Sequence, residues 1–67
     1  MALTARNQLE GTVKGMVLGD VMAEVVVDVG GQEIVAAVTR HAVESLGIKA
    51  GDRVRAVFQA TDVMLEV

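Results

Sequence analysis

Val21-Met22-Ala23-Glu24-Val25-Val26-Val27-Asp28-Val29-Gly30-Gly31 is the stretch that decides the fold class. Val21, Ala23, Val25, Val27 and Val29 recur at every second position, with Met22, Glu24, Val26 and Asp28 between them, which is the period of a strand with one face on a core. The second face still carries Met22 and Val26, so apolar contact is expected on both sides, one side within the chain and the other at a subunit contact. Gly30-Gly31 supplies two residues that tolerate positive φ and predicts a two-residue hairpin loop. A strand over residues 32–38 follows from it.

Upstream, residues 9–17 alternate in the same way, with Leu9, Gly11, Val13, Gly15 and Val17 on one face and Glu10, Thr12 and Lys14 on the other. Glycines on an inner strand face predict a close backbone approach or a sharp bend. Leu18-Gly19-Asp20 reads as the turn into the next strand. Downstream, residues 39–47 read as one short helix, with Thr39 as N-cap and Gly47 as a left-handed cap. A turn over residues 48–52 leads to a strand over residues 53–59 with Val54, Ala56 and Phe58 inward. Ala60-Thr61-Asp62 interrupts the pattern, and Val63, Leu65 and Val67 alternate as a fifth strand. Five short strands with one short helix after the third predict an all-β fold, a small closed or partly closed five-stranded barrel of the oligonucleotide/oligosaccharide-binding type.

Composition narrows the function. The chain has 67 residues, no cysteine and one histidine, so disulfides and thiolate metal sites are excluded and His41 is expected at the surface rather than as a ligand. A chain this short forms one domain, residues 1–67, and hides only a limited share of its surface. At 52% hydrophobic residues it has apolar surface to spare, and subunit interfaces are the expected place for it. The net charge is −3 and the six basic residues are scattered, which argues against nucleic acid and acidic membranes as partners. Phe58 is the sole aromatic, so there is no stacking platform for single strands. No apolar run approaches the roughly 18 to 20 residues that cross a bilayer, and the start lacks the order of a signal peptide, so the expected location is the cytoplasm.

Enzyme chemistry is not expected: there is no Ser/His/acid set and no phosphate loop, and Glu10, Glu24 and Asp28 fall on outward faces. A biotinyl or lipoyl carrier is excluded because Val21-Met22-Ala23-Glu24 offers no lysine to modify. What stands out is the opening run Thr4-Ala5-Arg6-Asn7-Gln8-Leu9-Glu10-Gly11, which places a hydroxyl, a guanidinium and two amides within five residues. These are anion-binding donors, although a solvated chain end has a similar composition. The first turn of the short helix, at Thr39, is a second place where an oxyanion would be favoured, against a purely capping role for that residue.

Three segments together resemble the Mop molybdate-binding domains, the molbindins: the opening run, Met22-Ala23-Glu24-Val25, and Ala60-Thr61-Asp62-Val63-Met64-Leu65. The resemblance spans essentially the whole chain. It implies molybdate or tungstate as the ligand, with no cofactor, held at subunit interfaces of a hexamer built as a trimer of dimers. It implies a role in intracellular molybdenum storage or homeostasis; the competing expectation is an oligomeric interaction module whose anion binding is weakened or lost. Carried over by match, the oxyanion-binding residues are Thr4, Arg6 and Asn7 of the opening run, Thr39 beside the third strand, and Gln59 and Ala60 at the closing motif. The family has a lysine where this chain has Gln59. Sedimentation is expected to show a stable oligomer, most simply a hexamer; a monomer at micromolar concentration would contradict both the assembly and the interfacial site.

Overall fold

The computed structural model describes residues 5–67. Strands β1 (Asn7–Leu18), β2 (Met22–Val29), β3 (Gln32–Thr39) and β4 (Arg53–Phe58) form one antiparallel sheet in the order β3-β2-β1-β4, with helix α1 (Arg40–Leu46) between β3 and β4 in the chain. β1 is the shared strand. Its first half, from Asn7 opposite Phe58 to Thr12 opposite Arg53, pairs with β4, and its second half, from Thr12 opposite Asp28 to Leu18 opposite Ala23, pairs with β2. A strand that changes partner midway must curl the sheet, and the result is a half-barrel, the partly closed form of the expected barrel.

Two residues of β1 make the curl possible. A Cβ on Gly11 would lie 2.5 Å from the Asp28 carbonyl oxygen and 2.7 Å from Val27 Cγ1, so only glycine fits where β1 crosses β2. Between Val13, opposite Val27, and Gly15, opposite Val26, the register slips by one, leaving Lys14 as the extra residue of a bulge. The slip moves every later side chain to the other face. Met16 therefore packs on the core, and Val17, expected inward, is 68% exposed. Lys14 itself reaches across β2 to pair with the Glu33 carboxylate on β3, which raises the lysine pKa above its ordinary value, chiefly through the hydrogen bond.

The expected inner face of β2 forms the centre of the core. Ala23, Val25 and Val27 are buried together with Val13 and with Val43 of α1. The β2–β3 hairpin turns through Gly30 and Gly31 at φ 58° and 88°, the left-handed pair that a two-residue loop requires. Thr39 caps α1 by accepting from the Ala42 N–H at 3.1 Å, and Gly47 ends it at φ 66°. The Ile48 N–H returns to the Val43 carbonyl at 3.1 Å, setting the isoleucine against the core. The turn before β4 then bonds to β1: Val13 N–H donates to the Asp52 carbonyl and Gly51 N–H to the Val13 carbonyl, both at 2.8 Å.

One element differs from expectation. Residues 63–67 leave a short 3₁₀ turn, Ala60–Asp62, and pair with no strand among the described residues, whose sheet has four strands with β3 and β4 at its edges. Leu65 is 91% exposed. The alternating pattern is present, but no strand among the described residues receives it.

Gly11→Ala tests the crossing directly. Forcing a methyl against main chain in a packed crossing costs about 1–3 kcal/mol, and chemical denaturation is expected to show a loss of that size. An unchanged midpoint would mean that β1 and β2 are further apart than described.

Candidate oxyanion site

The opening and closing motifs meet. β1 and β4 are paired to their ends, Asn7 opposite Phe58, so the residue before one strand and those after the other are brought together. Ala5, Arg6, Gln59, Ala60 and Thr61 line one open hollow of about 340 Å³. The 3₁₀ turn at its rim is fixed by Gln59 N–H donating to the Asp62 carboxylate at 3.2 Å and by Asp62 N–H donating to the Gln59 carbonyl at 2.9 Å. The N–H groups that open a helical turn have no partner within it. Among the described residues those of Ala60 and Thr61 have no main-chain acceptor, and they lie along the hollow that Arg6 lines.

Charge is distributed so that Arg6 is available. Lys14 is paired with Glu33, Arg40 with Glu44 at 3.4 Å, and Arg55 and Arg53 with the two carboxylate oxygens of Glu10 at 3.3 and 4.0 Å. Arg6 and Lys49 make no ion pair among the described residues, and only Arg6 lines this hollow. Exposed pairs of this kind contribute little to stability. Their effect is to hold the guanidinium groups of Arg40, Arg53 and Arg55 on carboxylates, while Arg6 has no such partner among the described residues.

The remaining expected residues are placed as follows. Asn7 is half-buried at the start of β1, directly beside the hollow in the ladder. Gln8, the second amide of the opening run, is structural: its Nε2 donates to the Ala5 carbonyl at 3.1 Å and its Oε1 accepts from Arg55 at 3.4 Å. Thr4 lies outside the described residues. Thr39 is exposed and lines a different hollow, with Asp20, Val21, Arg40, His41 and Glu44. The two hollows share no lining residue. Thr39 nevertheless keeps a donor, since its oxygen accepts from Ala42 and its hydroxyl hydrogen is still to be used. His41 is a surface residue bonded to the Ser45 hydroxyl at 3.2 Å, as expected. Thr61 is the residue missed by the motif match, and its position two residues past Gln59, in a turn that follows a strand end, was the available signal.

The half-barrel with its short helix recurs in known proteins. A family model described as the TOBE domain matches residues 3–65. The chain belongs to the TOBE domain family. Among relatives of this TOBE domain, molybdenum-pterin-binding protein 2 of Clostridium pasteurianum is 46% identical over 66 residues, 97% of each chain. A molybdate-binding protein from Sporomusa ovata superposes with a TM-score of 0.95 at 43% identity, covering all of both chains. MopII from Clostridium pasteurianum, in an apo form, gives a TM-score of 0.92 at 43% identity over 98% of this chain and 100% of its own. The resemblance drawn from the three motifs is thereby borne out, as is the expected fold. The relatives carry names of binding proteins and not of enzymes. No helix among the described residues is long and apolar enough to cross a membrane, and those residues contain no cluster of three metal-ligating side chains.

The cap makes a prediction that is independent of any anion. Thr39→Ala is expected to cost about 0.5–2 kcal/mol through loss of the N-cap, and Thr39→Asn, which can cap, is expected to keep most of it. Equal stability of all three forms in denaturant titrations would show that the cap does not hold α1.

Proposed function

We propose that this TOBE domain, acting as one Mop-type domain over residues 1–67, binds molybdate or tungstate as the intact oxyanion. The observation that carries the proposal is the meeting of the opening and closing motifs at one hollow lined by Arg6, whose guanidinium has no carboxylate partner among the described residues. The names of the relatives and solved neighbours, with identities of 43% and above, support the choice of anion.

A tetrahedral dianion is held by several directed donors and a partial charge match in a place shielded from water. On this reading Arg6 supplies the charge, the N–H groups of Ala60 and Thr61 and the amides of Gln59 and Asn7 supply direction, and Thr4 and Thr39 add hydroxyls. The hollow is open on the single chain, and Thr39 lines another one. The site is therefore completed between subunits, in a hexamer whose interfaces also cover the surplus apolar surface: among the described residues, twelve large apolar side chains are exposed on the single chain. No bond is made or broken and no electron moves. The role is storage or buffering of molybdenum in the cytoplasm.

Gln59 sets the strength. An amide in place of lysine keeps a donor and loses a charge; bonds to charged groups contribute about 1.5–3 kcal/mol against about 0.5–1.5 for neutral pairs. Gln59→Lys is expected to tighten molybdate about three- to thirtyfold, at about 1.4 kcal/mol per decade. Arg6→Ala is expected to abolish or severely weaken binding, because it leaves a dianion among neutral donors. Isothermal titration decides between the readings. No change in Gln59→Lys together with retained binding in Arg6→Ala would move the anion elsewhere, and no heat from the unmodified chain would favour an interaction module that has lost its ligand.

A further inference from the structure

We infer that Gln8 is a positioning residue of the anion site: by one hydrogen bond to the Ala5 carbonyl and a second from Arg55, it fixes the main chain from which Arg6 enters the hollow. Its consequence for binding rests on the anion reading given above, and its cause is the geometry of β1 and β4. The ladder between these strands ends at Asn7 opposite Phe58, so Ala5 and Arg6 lie beyond it. Among the described residues no main-chain hydrogen bond of a turn, loop or cap reaches either of them, yet both line the hollow. What ties them down is the Gln8 side chain. Its Nε2 donates to the Ala5 carbonyl at 3.1 Å and so spans Arg6 and Asn7.

Gln8 is itself held. Its Oε1 accepts from Arg55 Nη1 at 3.4 Å, Arg55 Nη2 donates to Glu10 Oε1 at 3.3 Å, and Arg53 lies 4.0 Å from the second oxygen of the same carboxylate. Glu10 is opposite Arg55 in the ladder and Gln8 is opposite Val57, so Arg55 serves its direct partner and the diagonal one on the same face. The result is a brace that runs from Arg53 to the Ala5 carbonyl and encloses Arg6 between its last two anchor points. The position needs a side chain that donates and accepts at once and carries no charge. A carboxylate there could accept from Arg55 but could not donate to the carbonyl, and an ammonium could donate but not accept. An arginine loses much rotamer freedom when it binds, and a main chain held in place beforehand lowers the cost of bringing it to a ligand. Gln8 therefore contributes to affinity without touching the anion.

Two measurements test this, the first without molybdate. In NMR relaxation on the isotope-labelled full chain, the Arg6 main-chain N–H is expected to be as ordered as those of β1. It is expected to loosen in Gln8→Met and, to a smaller extent, in Arg55→Met, which leaves Gln8 in place and removes only its second anchor. Arg6 order unchanged in both variants would overturn the brace whatever the anion does. In the second measurement molybdate is titrated calorimetrically into the same folded proteins. Gln8→Met is expected to weaken binding about two- to tenfold, the worth of one neutral hydrogen bond on the usual conversion, and Arg55→Met less. A Gln8 that served stability alone would lower the denaturation midpoint and leave the Kd of the folded protein unchanged, and that result would overturn the positioning role. Weakened binding with Arg6 still ordered would overturn it as well. No heat from the unmodified chain would defeat the anion reading, and this use of Gln8 with it, while the first measurement still decides whether the brace exists.

Discussion

The approach of β1 to β2 at Gly11 is the contact on which the rest of the molecule depends. With no Cβ to hold the strands apart, β1 can lie against the Asp28 main chain and, within one further turn of the pleat, slip its register at Lys14. The strand is then bent enough to serve β4 on one side and β2 on the other. The β1–β4 pairing carries Arg6 to Gln59, and the β1–β2 pairing puts Val13 at 1% exposure in the middle of the core. A straight β1 would give a flat sheet with its two ends far apart.

Much of this was legible in the chain because strand periodicity is a local property. The alternation in residues 21–29, the paired glycines of the hairpin and the cap residues Thr39 and Gly47 all describe backbone states that neighbouring residues determine. The bulge was not legible, since one additional residue in a strand leaves no compositional mark and Lys14 would be equally at home on an uninterrupted outer face. Val17 was misplaced for that reason alone. Leu9 illustrates a different limit: it lies on the core side of β1, opposite Ala56, yet remains 39% exposed because the seam is open where it stands.

The candidate site divides along the same line. Arg6, Gln59 and Ala60 could be grouped from motifs, and the pairing of β1 with β4 does bring them into one hollow. Thr39 belongs to the same motif set but to another hollow, and no pattern along a chain can say whether two residues meet within a subunit or across two. The functions of Gln8 and Glu10 were also out of reach. Both sit among the anion-binding vocabulary of the opening run, but the first ties the chain end to itself and to Arg55, and the second holds Arg53 and Arg55.

The open edge of β3 has a cost in the crowded state before any partner arrives. From Ile34 to Val38 it presents an unbroken apolar run, with Val35 58% exposed and no charged side chain to disfavour pairing with an unrelated strand. β4 is better guarded, since Arg53 and Arg55 alternate along its outer face. Unprotected flat edges of this kind are templates for aggregation. Whatever covers β3 therefore shields the newly made chain from its own kind in the wrong register.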